Sequence, residues 1–149
     1  MTQYIYIASP MRLKAGSFGS KPVSVERPHI FHNEWDFTHL FFENNYDANT
    51  KKRFSYSTHF SFKHQVACDH NHMPLKTQIT RRSVETKCLT ILYDYMEEAL
   101  EASGILEYFT SLNGHEDRPL YKKRTIRWAN IQTPYDLVLE DREFWEVTY

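Results

Sequence analysis

The chain has 149 residues, 41% hydrophobic and 25% charged, with ten Phe, ten Tyr, three Trp and only four Gly, and a formal net charge of −1. These values exclude a disordered or collagen-like chain, and no apolar run reaches the eighteen or so residues of a membrane span. The length points to one domain over residues 1–149. The short apolar run in MTQYIYIASP has no basic segment before it, so a signal peptide is not expected. Two cysteines, Cys68 and Cys88, supply no disulfide framework and suit a reducing cytoplasm.

Residues 4–8, YIYIA, are β-branched and aromatic and predict a first strand. Residues 9–22, SPMRLKAGSFGSKP, hold half the glycines and two prolines and predict a loop. Arg12, Lys14 and Lys21 surround Gly16 and Gly19 there. Backbone N–H groups and lysines after a strand can cradle phosphate, so these five residues form a candidate ligand contact. The G-x-x-x-x-G-K-[ST] pattern and a following helix are both missing, however, and an ordinary surface loop is the plainer expectation. Residues 23–34 are ambiguous, and Pro28 weakens a strand there.

Residues 35–43, WDFTHLFFE, predict a second strand, followed by turn chemistry in NNYDANTKK. Residues 53–67 alternate: Phe54, Tyr56, Thr58, Phe60, Phe62, His64 and Val66 share one face, Ser55, Ser57, His59, Ser61, Lys63 and Gln65 the other. Period two predicts a half-buried strand in a hairpin with the preceding one, its rings beneath a later helix. From Ser83 the period changes. Val84, Cys88, Ile91, Tyr95, Ala99 and Ala102, widened by Leu92 and Met96, predict an amphipathic helix that ends at Gly104. ILEYFTSLNG predicts a shorter helix ending at Gly114. Residues 120–131 and 136–149 predict strands around QTPYD, a hairpin setting Arg127 opposite Asp141 and Lys122 opposite Glu146. Together these elements predict an α+β fold: a mainly antiparallel sheet of about five strands, with one long and one short helix on one face.

Residues 59–72, HFSFKHQVACDHNH, concentrate four histidines, a cysteine and an aspartate. His64, Cys68, His70 and His72 are zinc-type donors, with Asp69 nearby, but H-x3-C-x-H-x-H lacks the paired C-x2-C or H-x3-H elements of zinc sites. His70 and His72 remain the metal candidates. No cofactor is expected, and a strand end followed by a polar turn is the plainer reading. A nucleophilic cysteine needs a lowered pKa and an oriented base. His59, His64, Cys68 and His70 are accordingly the candidate catalytic set of a histidine-based or metal-assisted hydrolase. His59 with His39 across the hairpin and Lys63 nearby offers an acid–base pair. The motifs G-x-S-x-G and H-E-x-x-H are absent.

Charge is strongly blocked along the chain. Residues 50–90 carry eight Lys or Arg against two acids, 91–117 seven acids and no Lys or Arg, 118–127 five bases and no acid, and 128–149 five acids against one base. The acidic block includes Asp94, Glu97, Glu98 and Glu101 in the second half of the long helix, where the macrodipole disfavours them. Compensation by the basic segment 118–127, or docking of a basic partner, would answer them. The sequence thus predicts a small cytoplasmic binding or regulatory protein that meets a protein partner through charged patches. The alternatives are the hydrolase centred on residues 59–72 and a nucleic-acid binder using the basic segment 51–87.

Overall fold

The computed structural model describes residues 2–69 and 73–149. In chain order the elements are β1 (Gln3–Ser9), β2 (Gly16–Phe18), α1 (Glu34–Phe37), β3 (Leu40–Asn44), β4 (Tyr46–Asp47), β5 (Lys52–Arg53), β6 (His64–Asp69), α2 (Ser83–Ser103), β7 (Ile105–Leu112), β8 (Lys122–Arg127) and β9 (Glu143–Thr148). Seven strands form one sheet in the order β2-β3-β6-β1-β7-β9-β8, and β4 and β5 form a separate ribbon. Neighbours in the sheet are antiparallel except β8 and β9, which are parallel. The α+β class agrees with the sequence; the sheet has seven strands rather than about five.

Helix α2 lies on one face of this sheet. Leu89, Leu92, Met96 and Leu100, spaced three and four apart, are buried over Ile5, Ile7, Val66, Cys68, Leu106, Tyr108, Trp145 and Val147. Each fully buried Leu or Met is worth about 1.5–3 kcal/mol, so this stripe dominates the attachment of the helix. It is rotated slightly from the predicted stripe: Leu89 and Leu100 are inside and Ala102 is outside. Tyr95 stacks on Phe42, with ring centroids 4.0 Å apart, and its hydroxyl donates to the Lys14 carbonyl. Gly104 closes the helix in the left-handed conformation, φ 76°, donating to the Leu100 carbonyl. At the other end Glu85 reaches back to the amides of Thr80 and Arg81 and the Tyr135 hydroxyl. The N-cap Arg82 makes no side-chain capping bond, and the Glu85 carboxylate instead ties the residues just ahead of the helix to its first turn.

The opposite face has its own small core. Tyr6, Ala67, Phe109 and Phe144 are buried there beneath Tyr56, Phe60 and Leu120. Tyr56 and Phe60 belong to residues 54–63, an irregular segment crossing the sheet on the side away from α2. Side chains satisfy much of its backbone. Glu107 accepts from the amides of Ser61 and Phe62 at 2.9 and 3.0 Å, and Gln65 accepts from Tyr56 and donates to the Phe62 carbonyl. Ser57 donates to the Glu116 carbonyl, and Asp117 accepts from the Thr58 amide. Asn45, fully buried, ties the two ends of the segment together. Its amide nitrogen donates to the carbonyls of Phe54 and Lys63, and its side-chain oxygen accepts from the Gln65 amide and the Arg53 guanidinium.

Four predicted elements are corrected by this arrangement. Of the strand over residues 53–67, only Arg53 in β5 and His64 onward in β6 are extended; of the alternating rings between, Tyr56 and Phe60 pack on the far face of the sheet, not under the helix, and Phe54 is exposed. The shorter helix after Gly104 is instead β7, a strand beside β1 in the middle of the sheet. Residues 35–43 are divided between α1 and β3, although β3 does pair antiparallel with β6, Phe42 opposite Cys68. The tail is no hairpin. β8 and β9 run parallel, Lys122 beside Glu143 and Arg127 beside Thr148, joined by a crossover through residues 128–142 that packs against α2. The expected pairings of Arg127 with Asp141 and Lys122 with Glu146 are therefore absent.

Candidate functional site

The glycine loop after β1 does not gather its basic residues at one point. Lys14 forms an ion pair with Glu98 on α2. Lys21 lies 5.6 Å from the centre of the Trp35 ring, where Lys87 also sits at 4.9 Å. Gly16 and Gly19 both have positive φ, but a Cβ on Gly19 would stand 2.2 Å from Ile91 Cδ1, whereas one on Gly16 meets nothing within 4 Å. Gly19 therefore lets the loop lie close against α2, a packing requirement. Arg12 lines a pocket with His64 of β6 and also the one beside Glu98 on α2.

The histidine-rich stretch is also dispersed. His59 lies on the covering segment, its ring against Phe109 and its Nε2 2.7 Å from the Arg118 carbonyl oxygen. Cys68 faces the other core, under α2, and burial pushes its thiol up to about 12. That is opposite to the change that makes a thiolate nucleophile. His64 and Cys68 point to the same face of β6 but are four residues apart, about 13 Å along a strand. The structure thus brings none of His59, His64 and Cys68 together. His39 meets the Phe37 ring edge to face, and its Nδ1 lies 3.1 Å from the Phe37 carbonyl oxygen. His70 and His72 lie outside the described residues, and with them the expected metal pair and the fourth member of the catalytic set. Among the described residues no group of three or more His, Cys, Asp or Glu is placed to hold a metal ion.

His64 instead meets two residues that are remote in sequence. The register of β1 with β6 sets Ser9 opposite His64. The chain leaving β1 therefore carries Arg12 past the imidazole. The β4–β5 ribbon brings Tyr46 and Arg53 to the same place, and Arg12, Arg53 and the His64 ring line a pocket of about 130 Å³ with Leu13, Asn44, Tyr46 and Gln65. Burial, followed by the nearby charges of Arg53, Lys63 and Arg12, lowers the His64 pKa from its ordinary value. Sequence spacing contained no sign of this grouping, because strand pairing and a ribbon create it.

The acidic block keeps the helical spacing expected of it. Asp94, Glu97, Glu98 and Glu101 stand at i, i+3, i+4 and i+7, so they share one side of α2. Asp94, Glu98 and Glu101 are exposed. Lys14 pairs with Glu98, and the Trp128 indole donates to Glu97 at 3.3 Å. Burial and the neighbouring Glu97 raise the Asp94 pKa. The basic strand β8 does not answer these carboxylates. Arg124 is directed to Glu143 at 3.9 Å, and Lys123 lies over the Phe144 ring at 5.4 Å.

The basic segment 51–87 has several of its members engaged inside the protein. Lys87 is buried on Trp35, Arg53 is held by Asn45, Lys76 approaches Glu143 at 3.5 Å, and Arg81 lies 4.6 Å from the Tyr135 ring centre. No helix among the described residues is long and apolar enough to cross a membrane. In comparisons with protein-family models, curated proteins and solved structures, nothing matches the chain.

Proposed function

We propose that the protein is a small binding or regulatory protein whose acidic helix end docks a basic segment of a protein partner. One observation carries this reading: Asp94, Glu97, Glu98 and Glu101 crowd one side of the last turns of α2, and among the described residues their one ion pair is Lys14 with Glu98. Like charges at i,i+4 cost about 0.2–0.5 kcal/mol per pair, and acids near a helix C-terminus oppose the macrodipole. A cationic partner relieves both costs. The two thiols, both free and buried, suit the reducing cytoplasm in which this reading places the protein.

The test is affinity capture at low salt with the wild-type chain and with Glu97, Glu98 and Glu101 all reversed to Lys. A specific protein partner retained by the wild type, released by salt and lost by the triple variant is the expected result. Equal retention of that partner by both chains, with the variant shown to be folded by circular dichroism, would refute the acidic face as the docking surface.

A further inference from the structure

The pocket beside His64 is built from two arginines and a histidine that come from three separate parts of the chain. Arg12 arrives from the segment after β1, Arg53 from β5 and His64 from the start of β6. None of its lining residues is acidic. Arg12 makes no ion pair among the described residues, and Arg53 is held on a neutral acceptor, the Asn45 side-chain oxygen at 3.1 Å, with its guanidinium 5.7 Å from the Tyr46 ring centre. Asn45 is itself fixed by the backbone of Phe54, Lys63 and Gln65, so Arg53 is positioned rather than free to swing. A second, independent observation concerns His64. Its Nδ1 is buried with no hydrogen-bond partner, the only buried side-chain N or O atom so placed among the described residues. Buried polar atoms are normally paired, so the unpaired Nδ1 of this pocket-lining ring lacks a partner.

We propose that this pocket binds a phosphate group, free or as a small phosphomonoester. A carboxylate carries one charge and two oxygens, and a single arginine fork satisfies it. Two guanidinium groups and an imidazole suit a doubly charged group with three or more acceptor oxygens. The site shares Arg12 and Leu13 with a neighbouring pocket that Lys14 and Glu98 also line, but it does not depend on the partner proposed for the acidic end of α2.

Occupancy is coupled to protonation. The charged groups facing His64 are Arg12, Arg53 and Lys63, all cationic, and they disfavour the imidazolium while the pocket is empty. A bound dianion reverses that balance, so binding draws a proton onto His64 and strengthens as pH falls through the histidine range.

Inorganic phosphate, methyl phosphate and sulfate are titrated into the full chain, with the His64 ring resonances followed by NMR. Sulfate keeps its double charge throughout the range in which histidine titrates, so it isolates the protein's own pH dependence. The expected result is a saturable shift at His64 with a Kd of about 1 mM or tighter. Sulfate binding should tighten from about pH 7.5 to about pH 5.5. Arg12→Gln, at an exposed position that leaves packing intact, should weaken binding about tenfold or more. Methyl phosphate binding at least as tightly as phosphate identifies a monoester ligand; the reverse identifies free phosphate. A non-saturating drift that chloride reproduces, or an unchanged affinity in folded Arg12→Gln, overturns the proposal.

Discussion

Asn45 shows how much of this structure one short side chain can hold. It is fully buried, and its amide meets the carbonyls of Phe54 and Lys63 while its oxygen meets the Gln65 amide and the Arg53 guanidinium. Removing it leaves two part-buried carbonyls and the buried Gln65 amide without these partners, and an unsatisfied buried group costs about 1–3 kcal/mol. Asn45→Ala is expected to lower stability by about 3 kcal/mol, since local relaxation recovers part of the sum; a urea denaturation series measures it. A loss below 1 kcal/mol would show that the ribbon and covering segment do not depend on this residue. In the sequence Asn45 stands in NNYDANTKK, where it is indistinguishable from the turn-forming Asn and Asp residues around it. His64, Arg12 and Arg53 share that difficulty: each was visible as a charged or titratable residue, but only three-dimensional pairing makes them neighbours.

Among the elements, α2 was legible because a single side of it is buried and a glycine follows it. Its bounds, Ser83–Ser103 with Gly104 after them, agree with the periodicity. β7 was not legible because it is covered on both faces: Leu106 and Tyr108 lie under α2, Glu107 and Phe109 under residues 54–63. A doubly covered strand has no alternation to read. The rings of residues 54–62 mislead in the opposite way, since alternation there comes from an irregular segment whose amides are held by Gln65, Glu107 and Asp117. The parallel β8–β9 pair was hidden by its crossover, in which QTPYD is part of a 3-10 turn rather than a tight hairpin.

Glu143 opens β9 and anchors that crossover. It is completely buried, accepts from the Glu140 amide at 3.0 Å and the Trp145 indole at 2.7 Å, and faces Lys76 and Arg124. Burial alone would raise its pKa, but the Glu140 amide, the Trp145 indole and the Lys76 ammonium outweigh it and hold the carboxyl below the ordinary value. A carboxyl depressed in the folded state binds fewer protons than in the unfolded chain. Its contribution is therefore complete above the unfolded value, about 4.3, and disappears as pH falls through the lower folded value. Glu143→Gln should cost about 1–2 kcal/mol at neutral pH, a modest figure because Lys76 and Arg124 are 36% and 44% exposed and can turn to water. The difference from wild type should shrink below about pH 4, measured by urea denaturation across that range. A difference independent of pH would show that the ionised carboxylate is not the stabilising form.

At the scale of the whole molecule, the sheet is covered by a helix on one side and by a loop on the other. The helical side is the larger core, whereas the loop side depends on a few rings around Tyr6, Phe109 and Phe144. Phe60 touches all three, with centroids 6.5, 6.1 and 5.7 Å away. Phe60→Ala should cost about 2–4 kcal/mol, toward the lower end of large aromatic truncations because Phe60 is only partly buried. Hydrogen exchange should then quicken at the Ser61 and Phe62 amides while Leu92 and Met96 in α2 stay protected. Uniform acceleration in both regions would mean that the two faces open as one unit.

The strand order also governs how the chain comes off the ribosome. β1 sits between β6 and β7, so its second neighbour is not synthesised until residue 112 has been added. At about 5–20 residues per second, a strand carrying Ile5, Tyr6 and Ile7 lacks that flank for roughly 5–20 seconds of elongation. Throughout that interval a greasy ribbon with an open hydrogen-bonding side is on offer to every passing nascent chain, and any chaperone that shields it has a defined window in which to act.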